Sequence, residues 1–409
     1  MIPVKPFDSY KWRWLSVTPS EGLLDPPVFL GVLRVMAKFE GQARSKPSIA
    51  AELKKVETET ETSVDLVRTP SRNLIRNSGQ YWFGTGLLVP SHGVIQLTEL
   101  GRQIADGKIT QGEFAAIMVQ QVILPNPYTY KPVEIEKWKA AKLEIRPLAL
   151  ILEIINQLGK DLSYNEEAYL SPSELIKIVI PLAGQMTAPK EIANCIAMFR
   201  KGKLDISNWP NCVPGDNDHR FAREFLLFLS NFGLCERRGP RKNERYYLAQ
   251  PLDVGSLIQT PGTSIFTNDQ GGKAAIKAMR HSSLPSIIER QRVLSSVLER
   301  PGQAKFRKDI LNAYQKKCLL TGEEISAVLE AAHIVPVKYH GADVVNNGIC
   351  LRVDIHTLFD AGAIRIKPTG ELLLSDTVSA SQNYRYLPPK ITIPGFVNPA
   401  NVAWRHSYL

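Results

Sequence analysis

Leu329-Glu330-Ala331-Ala332-His333-Ile334-Val335-Pro336 is followed, after a loop, by Asn346-Asn347-Gly348-Ile349-Cys350-Leu351 and then by Asp354-Ile355-His356-Thr357-Leu358-Phe359-Asp360-Ala361-Gly362. A single histidine in an apolar strand is most often a satisfied core residue. Three polar residues change that reading by their joint spacing. His333 and Asn347 lie 14 residues apart, and Asn347 and His356 nine. Ile349 and Leu351 fall between the last two, as a packed turn needs. Upstream, a helix is expected over Phe306–Tyr314, and Cys318-Leu319-Leu320-Thr321-Gly322 leads into the apolar run.

His-Ile-x-Pro, then Asn-Gly-Ile-x-Leu, then Asp-x-His-x-Leu-Phe-Asp resembles the HNH endonuclease family, with His333, Asn347 and His356 as the motif residues. The likeness runs over 300–376, less than a quarter of the chain, and says nothing direct about residues 1–285. Hydrolysing a phosphodiester needs an activated water, charge neutralisation at the phosphate and help for the departing 3′ oxygen. A neutral histidine takes a proton from water near neutral pH, and a divalent cation stabilises the leaving oxyanion. The resemblance implies that His333 is this base, on the first strand of a ββα-metal hairpin. It implies that His356, at the start of the following helix, is a metal ligand. Asn347 would hold the loop between the strands and so orient His333. The products would carry 5′-phosphate and 3′-hydroxyl ends.

The chain departs from the family in two places. Many members place an Asp or His ligand directly before the base, where this chain has Ala332. Glu330 and Asp354 remain as candidate ligands, and Glu330-Ala331-Ala332-His333 resembles the Asp-x-x-His spacing of the non-specific ββα-metal nucleases. Glu330 would act directly or through a metal-bound water. Many members also carry two zinc-binding Cys pairs. Only Cys318 and Cys350 are available here, so no structural zinc is expected and both read as buried packing thiols. The expected metal is Mg²⁺, with Mn²⁺ or Ni²⁺ able to substitute, because one His and few oxygen ligands discriminate weakly. Asp360 reads as a helix-end acceptor rather than a ligand. His340 reads as a loop residue within reach of DNA, and Arg352 as either a phosphate contact or a helix-flanking residue.

At 409 residues the chain is long enough for two to three domains. A hydrophobic share of 44% and a charged share of 22% exclude a disordered, collagen-like or coiled-coil chain. No apolar run reaches the ~18 residues of a membrane span, and Met1-Ile2-Pro3-Val4-Lys5 lacks the apolar stretch of a secretory signal. A net charge of +10 favours a polyanionic partner, nucleic acid before membrane, over a basic enzyme with no such partner. Five Cys with no Cys-x-x-Cys pair fit reduced thiols in a cytoplasm.

Upstream of residue 285, one layout recurs. Helices are expected at 28–36, 48–55 and 63–77, with 57–62 as a polar loop. A strand Tyr81–Val89, a turn Ser91-His92-Gly93 and a strand Val94–Leu97 would follow, then a helix capped by Thr98. Together with Leu-Thr-x-x-Gly-x-x-Ile this resembles a winged helix-turn-helix domain. Helices near 146–159, 172–183, 189–202 and 220–232 precede a second hairpin, Glu236–Leu248, that turns at Gly239-Pro240-Arg241-Lys242-Asn243. Residues 236–245 carry five basic against two acidic side chains. Candidate base-reading residues are Arg68, Arg72, Asn73 and Arg76 in one helix, and Lys190, Asn194, Arg200 and Lys201 in the other. Arg237, Arg238, Arg241, Lys242 and Arg245 on the hairpin, together with Arg352, would touch phosphate. Tyr81-Trp82-Phe83 reads as core rather than as a platform for a stacked or flipped base.

The expected fold is α+β, with two winged-helix-type domains (1–135 and 136–250), a linker (251–285) and a C-terminal ββα-metal nuclease domain (286–409). The expected activity is metal-dependent, sequence-specific cleavage of double-stranded DNA by a homodimer. The alternatives are a modification-dependent nuclease cutting methylated DNA, and a DNA-binding regulator with an inactive nuclease domain. The tail 377–409 is expected to fold back on the body or on a partner.

Overall fold

Pro26 and Pro27 fit the first turn of a helix, where a missing N–H costs nothing, and they open α1 (Pro26–Lys38). Its apolar face, including Val28, Phe29, Val32, Leu33 and Met36, is buried. The structure, a computed structural model, describes residues 2–15, 21–67, 79–91, 93–160, 168–249, 252–258 and 301–409, with the isolated positions Ile75, Lys273, Ile276, Lys277, Met279 and Arg280. Arg68, Arg72, Asn73 and Arg76, most of the helix expected at 63–77, and the helix expected at 286–299 lie outside the described residues.

The second helix, α2 (Pro47–Thr60), runs into the stretch 57–62 expected as a polar loop and covers it as far as Thr60. Its threonines satisfy their hydroxyls on the preceding turn, Thr58 Oγ1 donating to Lys54 O (3.1 Å) and Thr60 Oγ1 to Val56 O (2.7 Å). Glu57 turns inward and accepts from Leu66 N (2.7 Å). A second departure follows at Tyr81-Trp82-Phe83, which sits in the short helix α3 (Gly79–Gly84) rather than in a strand. A strand would send Tyr81 and Trp82 to opposite faces. In α3 both are fully buried, with Trp82 stacked on Phe29 at 5.7 Å. The hairpin shrinks to the bridge Leu88↔Leu97. Thr98 caps α4 (Glu99–Ala105) as expected, accepting from Gly101 N at 3.1 Å.

Next come α5 (Gln111–Gln121), opened by a Thr110/Glu113 capping box, α6 (Pro132–Ala140) and α7 (Pro147–Lys160). Strand β1 (Tyr169–Leu170) leads into helical turns over 172–183. Then come α8 (Pro189–Arg200) and α9 (Asp216–Asn231). The hairpin expected after 232 forms as β2 (Cys235–Arg238) and β3 (Arg245–Leu248), with β1 on its other side in the order β1-β3-β2. Trp12 and Trp14 thread inward and pack edge-on against Phe225 of α9 at 5.6 and 4.9 Å. One apolar core therefore runs from Tyr10 to Met279, shared by the segments 1–135 and 136–250.

A second core runs from Phe306 to Val402. There α10 (Pro301–Ala313) packs on an antiparallel hairpin, β4 (Leu329–His333) and β5 (Gly348–Arg352), and α11 (Val353–Asp360) follows directly. Strands β6 (Ile364–Ile366) and β7 (Leu372–Leu374) pair behind it. The tail ends in α12 (Pro399–Tyr408), which folds back onto this unit. The class is α+β, with many helices and three small sheets among the described residues. No helix among the described residues is long and apolar enough to cross a membrane.

Candidate active site

His333 ends β4 opposite Gly348, the first residue of β5. Gly348 is required there, because a Cβ would stand 2.2 Å from Ile310 Cδ1 and 2.8 Å from Phe306 Cζ. That close approach lets the Phe306 ring stack on the His333 imidazole, with centroids 4.0 Å apart and planes at 14°. On its edge, His333 Nε2 donates to Asp343 Oδ1 at 2.8 Å. A carboxylate accepts only, so the ring proton sits on Nε2 and a neutral imidazole keeps its lone pair on Nδ1.

Asn347 is buried between the strands. Its Oδ1 accepts from Val335 N (2.9 Å), and its Nδ2 donates to Val335 O and Ala342 O (3.0 Å each). Both ends of the connecting loop are thus tied to one side chain. Gly341 lets the loop close on itself, since a Cβ there would fall 1.7 Å from Val335 O.

His356 lies in α11 and faces β4. Its Nδ1 donates to Glu330 Oε2 at 2.7 Å and its Nε2 to Asp360 Oδ2 at 3.3 Å. Burial works against the charged ring, but the hydrogen bonds and charges of Asp360 and Glu330 outweigh it and raise the His356 pKa. Burial would likewise raise Asp360, yet His356 and Arg405 hold its carboxyl below the usual range. Among the described residues no group of three or more His, Cys, Asp or Glu stands as a ready metal cage. The donor types, an imidazole and carboxylates, suit a divalent cation of the Mg²⁺ or Mn²⁺ class, but Glu330 and Asp360 stand on opposite nitrogens of the His356 ring and do not converge on one point.

Asp354, expected as a ligand, does not join this group. It pairs with Arg352 through both oxygens (2.7 and 2.8 Å), and Arg352 also bonds the Tyr386 hydroxyl. Residues two apart on a helix do not share a face, whereas those four apart do. Asp360, read from the sequence as a helix-end acceptor, is the acid of α11 that reaches His356. His340, read as a loop residue within reach of DNA, does lie in a loop but is 3% exposed and packs inside the helical body. Cys318 and Cys350 are buried, and burial pushes the Cys350 thiol up to about 11.

Two residues at the site carried no sequence signal of their own. Asp343 is a common acid in a loop. Arg405 reaches from α12, its Nη1 donating to His333 O and Ile334 O (3.0 Å each) and its Nη2 to Phe359 O (2.6 Å) and Asp360 Oδ1 (3.2 Å). The expectation that the tail folds back was the only pointer to it.

Residues 318–367 match the family described as HNH endonuclease. This C-terminal unit is an HNH endonuclease domain. All three motif histidine and asparagine positions of the HNH domain fall inside the matched segment. No curated protein matches the chain. One solved structure, the BpuJ1 endonuclease binding domain in complex with pyrene- and phenanthrene-modified DNA, is similar over 68% of this chain and 99% of its own. The identity is 15% and the TM-score 0.44, too low a likeness to carry an assignment.

Away from the HNH domain, Lys190, Asn194 and Lys201 are exposed on or just after α8. Arg200 is committed inward, its guanidinium bonded to Glu174 (2.6 Å) and Tyr169 O (2.8 Å), with only 9% of its side chain exposed. Arg237, Arg238, Arg241, Lys242 and Arg245 are all exposed on the hairpin β2–β3. Arg238 stacks on Tyr247 at 4.5 Å and Arg245 on Tyr169 at 4.8 Å, which lays a row of guanidinium and phenol planes along that sheet.

Proposed function

We propose that this protein is a metal-dependent, sequence-specific endonuclease of double-stranded DNA, of the restriction type, working as a homodimer in a reducing cytoplasm. In this reading two winged-helix-type modules (1–135 and 136–250) read DNA, 251–285 links them to the cutter, and 286–409 cuts. The observation that carries it is the grouping of His333–Asp343, Asn347 and Glu330–His356–Asp360 around one ββα unit.

His333 acts as the base. Its Nδ1 takes a proton from the attacking water as the water oxygen bonds to phosphorus. The bond to the 3′ oxygen breaks, leaving 5′-phosphate and 3′-hydroxyl ends. Asp343 holds the tautomer and the ring plane, and the Phe306 ring blocks one face. Asn347 fixes the loop. His356 would hold the cation through whichever ring nitrogen gives up its proton, with the carboxylate on that side, Glu330 or Asp360, beside it, and Asp354 is left as the partner of Arg352. When bound, a divalent cation supplies charge neutralisation at the phosphate and the departing oxygen.

The direct test uses purified protein and two whole-genome DNAs, one unmodified and one methylated, with Mg²⁺ or with EDTA. Discrete ends at a short shared motif, absent with EDTA, are the expected result. Cutting of the methylated DNA alone would replace this reading with modification-dependent cleavage. Tight duplex binding without cleavage of either would overturn it in favour of a regulator.

The basic hairpin makes a separate prediction. Replacing Arg238 and Lys242 with Ala should weaken binding about equally on all duplexes. It should also flatten the slope of log K against log salt by roughly 0.9 for each phosphate no longer neutralised. An unchanged slope in a salt titration would remove the hairpin from the DNA interface.

A further inference from the structure

The loop between β4 and β5 leaves the HNH domain and enters the helical body. His340 sits at its tip with φ +64°, a backbone conformation uncommon for a residue with a side chain. Its ring lies between Phe29 of α1 (centroids 5.7 Å apart) and Phe232 (6.0 Å), the residue that follows α9 just before the basic hairpin. Neither ring nitrogen has a hydrogen-bond partner among the described residues. An unpartnered buried imidazole is costly, and a leucine or phenylalanine would fill the same space without that cost. Burial, with the Arg34 charge adding to it, lowers the His340 pKa to about 3, so the ring is a neutral peg at ordinary pH.

This peg is three residues from Asp343, and Asn347 ties the same loop at Val335 and Ala342, on either side of it. The loop therefore has one end in the aromatic cage of the body and the other at the His333 ring. We propose that His340 is a positioning residue for cleavage: seated in the helical body, it anchors the loop that presents Asp343 to His333. The nuclease geometry then depends on how the body is docked. This rests on the reading of His333 as the base.

The test is single-turnover cleavage by the full-length protein, with DNA affinity and thermal unfolding measured on each variant. His340→Ala and Asp343→Ala should each slow the cleavage step roughly 10- to 100-fold with DNA affinity unchanged, the size expected when a reacting group is misplaced by about 1 Å. His340→Phe fills the cage and should stay within about threefold of the parent. The double variant His340→Ala/Asp343→Ala should cleave no slower than Asp343→Ala alone, because the peg acts through that carboxylate. Additive losses in the double variant would overturn the proposal, as would parental cleavage by His340→Ala or Asp343→Ala. If His340→Ala unfolds, the rate of His340→Phe and the effect of Asp343→Ala still decide it. His333→Ala separates the two readings. Loss of cleavage there with parental rates in the loop variants removes only the positioning role, whereas retained cleavage in His333→Ala removes the base.

Discussion

His333→Ala is expected to lower the single-turnover cleavage rate by about 10²- to 10⁴-fold, the range of a positioned general base. That corresponds to roughly 3–5 kcal/mol of transition-state stabilisation. DNA affinity should stay near the parent value, because the exposed cations that would hold phosphate lie elsewhere, on the hairpin β2–β3. Stability should also change little. The side chain is partly exposed and its hydrogen bond goes to a half-exposed carboxylate. A rate measured with DNA in excess and again with enzyme in excess distinguishes lost chemistry from lost binding. Cleavage within threefold of the parent would show that the water is activated by another group.

The core of this candidate site was legible in the sequence because its residues are close together in the chain. His333, Asn347 and His356 sit in one strand–loop–strand–helix passage, and each must occupy a fixed step of it. What surrounds them was not legible, for reasons that differ by residue. Asp354 stands closer to His356 in sequence than Asp360 does, but helix geometry turns it toward Arg352. Asp343 is placed by the loop closure at Gly341 and Asn347, which no spacing rule encodes. His340 escapes the sequence because a polar residue in a Gly-containing loop is ordinarily solvated. The cage that takes it is assembled from Phe29 and Phe232, more than a hundred residues away in sequence.

The helical body shows the same division. Its second hairpin was readable from a Gly-Pro turn between two alternating strands. At Tyr81-Trp82-Phe83 the aromatic composition favours a strand, yet tertiary packing decides otherwise, since one helical turn buries Tyr81 and Trp82 on a common core. Over 57–62 a polar, threonine-rich composition points to a loop. The helix persists because the threonines bond backward and Glu57 finds the Leu66 amide.

The largest effect on stability is expected at Arg405. Its guanidinium is buried in the HNH domain, lies 3.5 Å from the Phe359 ring centroid, and donates to three backbone carbonyls and one carboxylate. Arg405→Met keeps much of the apolar stem and removes every donor. Each carbonyl left unsatisfied costs about 1–3 kcal/mol, so the loss should be on the order of 3 kcal/mol even after some carbonyls regain water. At about 4 °C of Tm per kcal/mol for a unit near 100 residues, the HNH domain should melt on the order of 10 °C lower. The body has its own core and should be affected less. Cleavage should fall as well, because the same fork holds the His333 carbonyl and Asp360, the neighbour of His356. Arg405→Lys retains the charge but not the planar fork, so it should recover only part of the loss. Differential scanning calorimetry of the two variants decides this. A Tm for Arg405→Met within 2 °C of the parent would mean that the last helix is an accessory to the HNH domain rather than one of its fastenings.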